Sequence, residues 1–226
     1  MLRTPALTVR FLPLVALAVA FLTAPRAVGA QDIAPEELPI GRYVADLRVD
    51  FPKFKQDPNI ASGIGVSALN LPTRAFGFVV GAHWHPVRLG IMTLGLGGEI
   101  SAARRGHTLN TGTKEAPVPV SVTSRFSAVS PQISFNFGAR DGWSYISGGI
   151  GWARFTAERK DRPLPDQESS SKTINYGGGA RWFASKHLAV SMDLRFYAVN
   201  PQLATATRPS FSRMTLMAFS AGVAIR

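Results

Sequence analysis

The 226 residues suffice for one domain with a full core or for one small barrel, and the absence of Cys excludes disulfides, thiolate metal centres and a lipoprotein anchor. Lys and Arg number 25 against 14 Asp and Glu, a basic excess that suits nucleic acid, anionic lipid or acidic glycolipid. The 21 Gly, 16 Pro and 14 Phe fit a sheet protein with many turns better than a helical one.

Arg3 and Arg10 form a basic start, and residues 11–22 are an apolar run with Pro13 near its beginning. Val28, Gly29 and Ala30 are small residues ahead of a cut before Gln31. Residues 1–30 therefore read as a cleaved secretory signal peptide, since the run is short for an uncleaved span of ~20 residues. Removing Arg3, Arg10 and Arg26 with the signal leaves 22 basic residues against 14 acidic ones. Export by the general secretory pathway argues against nucleic acid as the partner. No later apolar run reaches the length of a membrane helix, so a mature chain in a membrane must cross it as strands. Residues 31–40, with Pro35, Pro39, Asp32, Glu36 and Glu37, read as a short periplasmic lead-in.

From there the chain alternates. Tyr43, Ala45, Leu47, Val49 and Phe51 share one parity, with Val44, Asp46, Arg48 and Asp50 on the other. Residues 52–71 read as a long loop, within which 63–69 can extend a strand. Phe76, Phe78, Val80, Ala82 and Trp84 oppose Gly77, Val79, Gly81, His83 and His85, and Pro86-Val87-Arg88 reads as a tight turn. Met92, Leu94, Leu96 and Ile100 oppose Thr93, Gly95, Gly97 and Glu99, and residues 104–123 read as another long loop. Val129, Pro131, Ile133, Phe135 and Phe137 oppose Gln132, Ser134 and Asn136. Pro131 cannot donate to a ladder, so a bulge is expected there.

Ala139-Arg140-Asp141-Gly142 is a turn signal. In the next strand Ile146, Ile150 and Trp152 are taken as outward, against Tyr145 and Phe155. Residues 158–172 are charged and Pro-broken, a loop. Ile174, Tyr176, Ala180 and Trp182 oppose Asn175, Gly177, Gly179 and Arg181. After a turn at 184–186, Leu188, Val190, Met192, Leu194 and Phe196 oppose Ala189, Ser191, Asp193, Arg195 and Tyr197. Residues 201–209 are a loop, and Met217, Phe219, Ala221, Val223 and Ile225 close the last strand.

Eight strands result, joined by connections that alternate long and short. Outer-membrane barrels have an even strand number, short periplasmic turns and longer outside loops. The reading is an all-β chain: an eight-stranded antiparallel up-and-down transmembrane β-barrel over residues 41–226, preceded by a cleaved signal peptide. A soluble sandwich needs neither the alternation of loop lengths nor so many Phe, Trp and Met on one parity. A lipocalin-type barrel would turn its charged parity to solvent and its apolar parity inward.

Residues 148–155 (Gly-Gly-Ile-Gly-Trp-Ala-Arg-Phe), 192–197 (Met-Asp-Leu-Arg-Phe-Tyr) and 219–226 (Phe-Ser-Ala-Gly-Val-Ala-Ile-Arg) carry a resemblance. The pattern resembles the small OmpA-like and OmpX-like outer-membrane barrel domains of the porin-family proteins in Gram-negative envelopes. The resemblance implies a monomer in outer-membrane lipid and lipopolysaccharide, delivered by periplasmic chaperones and the barrel-assembly machinery. It brings no catalytic residue, no cofactor and no metal. Barrels of this kind usually finish on an aromatic residue, a docking signal for assembly, whereas here the last residue is Arg226.

The inward parities gather Asp46, Arg48, Asp50, Glu99, Arg181, Asp193 and Arg195. An eight-stranded bore is just filled by side chains, so these charges are expected to pair as a plug. The reading is an integral barrel with a structural, envelope-integrity or surface-contact role. The alternative is a narrow gated pore for ions or small solutes, and after that an enzyme modifying lipid A. Ser191 and Asp193 do not make the case for an enzyme, because Ser191 points inward and no matching motif is present. His83-x-His85 offers two imidazoles without an evident third ligand. Trp84, Trp143, Trp152, Tyr176 and Trp182 are candidates for interfacial girdles. Arg104, Arg105, Lys114, Arg125, Arg159, Arg208 and Arg213 fall in or beside the outer loops. They can contact glycolipid phosphates or simply form a solvated rim.

Overall fold

The structure is a computed structural model, and it describes residues 39–112, 116–161, 170–204 and 210–226. The expected signal peptide and most of the lead-in lie outside the described residues. Eight strands follow one another: β1 (Tyr43–Lys53), β2 (Phe76–Leu89), β3 (Met92–Gly112), β4 (Pro117–Ala139), β5 (Gly142–Arg159), β6 (Ser171–Phe183), β7 (Leu188–Val199) and β8 (Met214–Ile225). Each pairs antiparallel with the next. β8 returns to β1 from Ala45↔Ile225 to Lys53↔Met217, closing the barrel. Closure satisfies the ladder on both sides of every strand, which a span through hydrocarbon requires.

The period-two pattern becomes an inside and an outside. On β7, Leu194 is 42% exposed and its neighbour Arg195 only 2%. Leu47, Val80, Ile100, Ile150 and Phe219 likewise face out. Trp84, Trp152, Tyr176 and Trp182 point outward, but Trp143 is buried in the bore. That corrects its place in a girdle, because it shares parity with Tyr145 rather than with Ile146 and Trp152.

Several boundaries differ from the sequence reading. Pro86-Val87-Arg88 is not a turn: β2 runs on to Leu89 and the chain reverses at Gly90, where φ is 61°. The irregularity in register falls between Trp84 and Val87, around Pro86, which has no N–H to give the ladder. No shift occurs at Pro131. It pairs with Gly98 in register, and the β4–β5 ladder opens over Ser130 and Pro131 and resumes unshifted between Val129↔Trp152 and Gln132↔Gly149. A missing donor costs one bond without requiring an extra residue. Most of residues 104–123 is not loop either, since β3 and β4 stay paired from Arg104↔Arg125 to Gly112↔Pro117.

Residues 63–69 extend no strand. Here the first long connection folds into a short helix, α1 (Pro58–Gly63), and a 3-10 turn, Ala68–Asn70. Asp57 caps α1, its Oδ1 accepting from the N–H of Asn59 (2.8 Å) and Ile60 (3.2 Å), and Pro58 supplies a first-turn φ. Ile60, Ile64, Phe54 and Leu71 pack on Val122, Phe126, Phe155, Val199, Met214 and Leu216, the inward residues of the strand tops. Phe54 meets the Phe155 ring edge-on at 5.0 Å. Arg159 Nη1 donates to the Gly65 carbonyl at 3.1 Å, tying the end of this segment to β5. The long-loop end of the bore is thus stoppered by an apolar cap.

Ile60→Asp would set an unpaired carboxylate in this cap at a cost of several kcal/mol. Protease added outside should then cut residues 54–75 about a hundredfold faster or more, following the population opened, while heat-modifiable gel migration of the barrel persists. An unchanged cleavage rate would show that this packing does not hold the cap.

Candidate functional site

Below the cap lies the charged layer. β1 contributes Asp46, Arg48 and Asp50, β3 Glu99, β6 Arg181, and β7 Asp193 and Arg195, all buried. Closure sets strands far apart in sequence face to face across a bore with no room for separate hydration shells. Arg181 clasps Asp46 with two bonds, Nη2 to Oδ2 at 2.6 Å and Nε to Oδ1 at 3.0 Å. Ser191 Oγ adds a third donor to Asp46 at 2.9 Å, and the Arg181 guanidinium lies 4.3 Å from the Tyr145 ring centre. Arg48 and Arg195 share two carboxylates. Arg48 reaches Glu99 at 3.0 Å and Asp193 at 3.4 Å; Arg195 reaches Glu99 at 2.8 Å and Asp193 at 2.9 Å. Tyr145 donates to Asp193 and Tyr197 to Glu99, each at 2.8 Å. Asn175 and Ser147 accept from the remaining Arg195 donors at 3.0 and 2.9 Å.

Six of the seven charges therefore lie in two clusters of ion pairs. Asp50 stands apart: among the described residues it takes a bond from Ser101 Oγ at 3.0 Å and touches no cation. Sequence reasoning missed Tyr145 and Tyr197 as members of the layer. Tyr197 stood on the charged parity of β7, a signal that was available. The part of Tyr145 was not legible, since it depends on β5 lying across the bore from β1.

Toward the short-turn end, Trp143 stacks on Phe183 at 5.1 Å and packs with Val44, Ile40, Ala189 and Ala224. His85 Nδ1 lies 2.7 Å from the Gly41 carbonyl, and the His85 ring meets Trp143 edge-on at 6.0 Å. His83 and His85 are both buried in the lumen. Among the described residues no three His, Cys, Asp or Glu side chains converge on a point where a metal could sit. Arg226 donates to the carbonyls of Lys186 (2.8 Å) and Arg140 and so stitches two short turns together.

The seven candidates for phosphate contact separate. Arg104 and Arg125 are direct cross-strand partners on the outer face, both exposed. Lys53 and Arg74, not anticipated, form a second such pair one level above Phe51 and Phe76. Arg213 is exposed, 3.5 Å from Asn200 Oδ1. Arg105 stands on the other parity from Arg104, and Arg159 is turned onto the cap. Lys114 and Arg208 lie outside the described residues.

A closed eight-stranded barrel, apolar outside and ion-paired within, is the build of the small transmembrane barrels of bacterial outer membranes. No family model matches the sequence, and no curated protein matches it. Solved structures do. Neisserial surface protein A (NspA) is 8% identical, with 82% of this chain and 97% of that one covered and a TM-score of 0.52. OprG from Pseudomonas aeruginosa is 9% identical over 84% and 97%, with a TM-score of 0.44. Ail of Yersinia pestis is 10% identical over 82% and 99%, with a TM-score of 0.40. At such identities the likeness is one of fold, carried by NspA. The fold is that of the outer-membrane β-barrels, and acyl chains are the solvent in which its outer wall is stable.

Arg195→Leu strands Glu99 and Asp193 with one shared cation and is expected to cost about 3–5 kcal/mol, read as urea unfolding in lipid vesicles. Asp50→Asn, which deprives no cation of a partner, should cost less than about 1 kcal/mol. Equal effects would deny the pairing its structural weight.

Proposed function

We propose that the chain is a sealed structural barrel of the bacterial outer membrane, with an envelope-integrity role and an outer rim that grips the glycolipid leaflet. The observation that carries this reading is the triple filling of the bore: apolar cap, ion-paired middle and aromatic plug. A narrow gated pore would have to unmake buried ion pairs, each removal of a partner costing about 3–5 kcal/mol. Ser191 gives its hydroxyl to Asp46 inside the bore, away from any lipid substrate, which supports a non-enzymatic role.

The rim completes the proposal. On the outer wall Lys53 faces Arg74 just beyond Phe51 and Phe76, and Arg104, beside Phe76, faces Arg125. Like charges directly opposite are destabilising unless an anion lies between them. Glu158 stands 3.9 Å from Arg125, both partly open to solvent, too loose a pair to offset the row. Phosphates of outer-leaflet lipopolysaccharide are of the right charge and depth for charge-assisted bonds. Monomeric insertion by periplasmic chaperones and the assembly machinery belongs to the same reading.

In planar bilayers the wild-type chain is expected to be silent, and the double variant Asp193→Ala/Arg195→Ala to conduct. A steady single-channel current from the wild type would overturn the sealed-barrel reading. Separately, Arg104→Gln/Arg125→Gln should lower retention of lipopolysaccharide on the purified barrel by about thirtyfold, near 1 kcal/mol for each cation lost. Unaltered retention would leave these residues as a solvated rim.

A further inference from the structure

The opposite end of the outer wall carries two adjoining recesses of contrasting chemistry. One, of about 480 Å³, is apolar and lined by Tyr43, Ala45, Ala82, Trp84, Leu96 and Ile225, with Arg226 at its edge. Its floor is set by register. Ala45 lies opposite Ala82, and Ala82 opposite Gly98, a row of small residues running across β1, β2 and β3. The row on one side holds Leu47, Val80 and Ile100, and the row on the other Tyr43, Trp84 and Leu96. A trough results between two ridges of large apolar side chains.

The second recess, of about 490 Å³, opens at the rim beside the short turns. Arg42, Arg140, Lys186 and Arg226 line it, together with His187 and the chain at residues 39–41. Tyr43 and Arg226 line both recesses, so they are continuous. Asp141 approaches Arg226 Nη2 only at 3.9 Å and is itself 94% exposed, so it screens little of the charge. Arg226 is held in place by the Lys186 and Arg140 carbonyls and lies 3.7 Å over the Phe183 ring. Burial first, and then neighbouring Arg140, push its guanidinium below the ordinary value, while Asp141 acts the other way.

We propose that the two recesses are one site for an anionic phospholipid of the periplasm-facing leaflet, with its phosphate against Arg42, Arg140 and Lys186 and one acyl chain in the Ala45–Ala82–Gly98 trough. The site straddles the boundary between apolar wall and charged rim, as a phospholipid does. Tyr43 and Trp84, amphipathic rings suited to the headgroup level, stand at that boundary. An ethanolamine headgroup would bring its own ammonium among four cations, so the geometry favours a glycerol-type headgroup. The trough crosses the seam where β1 pairs with β2, and Ile225 of β8 borders it, so a bound lipid covers the two ladders that flank β1 where the barrel closes. This rests on the transmembrane fold and is independent of the glycolipid row at the other rim.

The test is native mass spectrometry of the full chain purified in mild detergent. Dioleoyl phosphatidylglycerol, dioleoyl phosphatidylethanolamine or inorganic phosphate is added at equal concentration. One phosphatidylglycerol should be retained about tenfold more tightly than phosphatidylethanolamine, with both Arg42→Gln/Lys186→Gln and the trough-filling Ala82→Phe lowering its retention by a similar factor. Heat-modifiable migration reports that each variant is folded. Lys55→Gln/Lys172→Gln, two exposed lysines at the far, long-loop end, should change nothing. Equal retention of the two phospholipids would sink the proposal. So would phosphate binding as tightly as phosphatidylglycerol with Ala82→Phe neutral, which would mark an anion site only, or an equal loss from the far-rim variant, which would mark bulk charge.

Discussion

A sheet that closes on itself leaves no free edge, and everything else in this chain follows from that closure. The β8–β1 ladder fixes the strand number, and eight strands fix a bore that side chains alone can fill. Charged residues sent into such a bore cannot keep their water, so they must find one another. Closure also decides where bulk is tolerated. A Cβ on Gly179 would lie 2.7 Å from the Tyr145 hydroxyl, so the small residue on β6 makes room for the ring that bonds Asp193. Gly97 does the same for His83, whose ring would stand 2.6 Å from its Cβ.

The interior is layered, and each layer answers a different surrounding. The cap, from α1 and the strand tops, is apolar and lies at the long-loop end. The ionic middle lies where the outer wall is most apolar. There a low dielectric strengthens every pair and makes an orphaned charge costly. The lower plug mixes aromatic rings with carbonyl-bound Arg226 and His85 where the short turns gather. It is on this stack that the proposed sealed barrel rests.

The outer wall is asymmetric as well. Two like-charged cross-strand pairs stand at the long-loop rim, while a basic recess adjoining an apolar trough marks the short-turn rim. The cations at the two ends differ in arrangement: side by side on strands at one, clustered around turns at the other. That difference matches the distinct lipids of the two leaflets and gives the barrel a chemical polarity along its axis.

Alternation was enough to read most of this architecture. Leu194 out and Arg195 in follows from the two-residue period of a strand, and Asp46, Arg48 and Glu99 could be assigned to the bore on the same ground. The strand count was legible for the same reason, whereas the expected long connection between β3 and β4 is mostly paired hairpin. Strand ends were not: residues 104–112 are polar, and the alternation of Val118, Val120 and Val122 is masked by Pro117 and Pro119, which read as breakers. Nor could pairing across the bore be read. That Arg195 meets Glu99, Arg181 meets Asp46, and Lys53 stands beside Arg74 depends on the stagger with which the sheet closes. Local sequence thus determined which way each side chain faces, because that is a property of one strand. Partners across the lumen, the cap and the two rims were decided by tertiary structure, because shear and closure belong to the sheet as a whole.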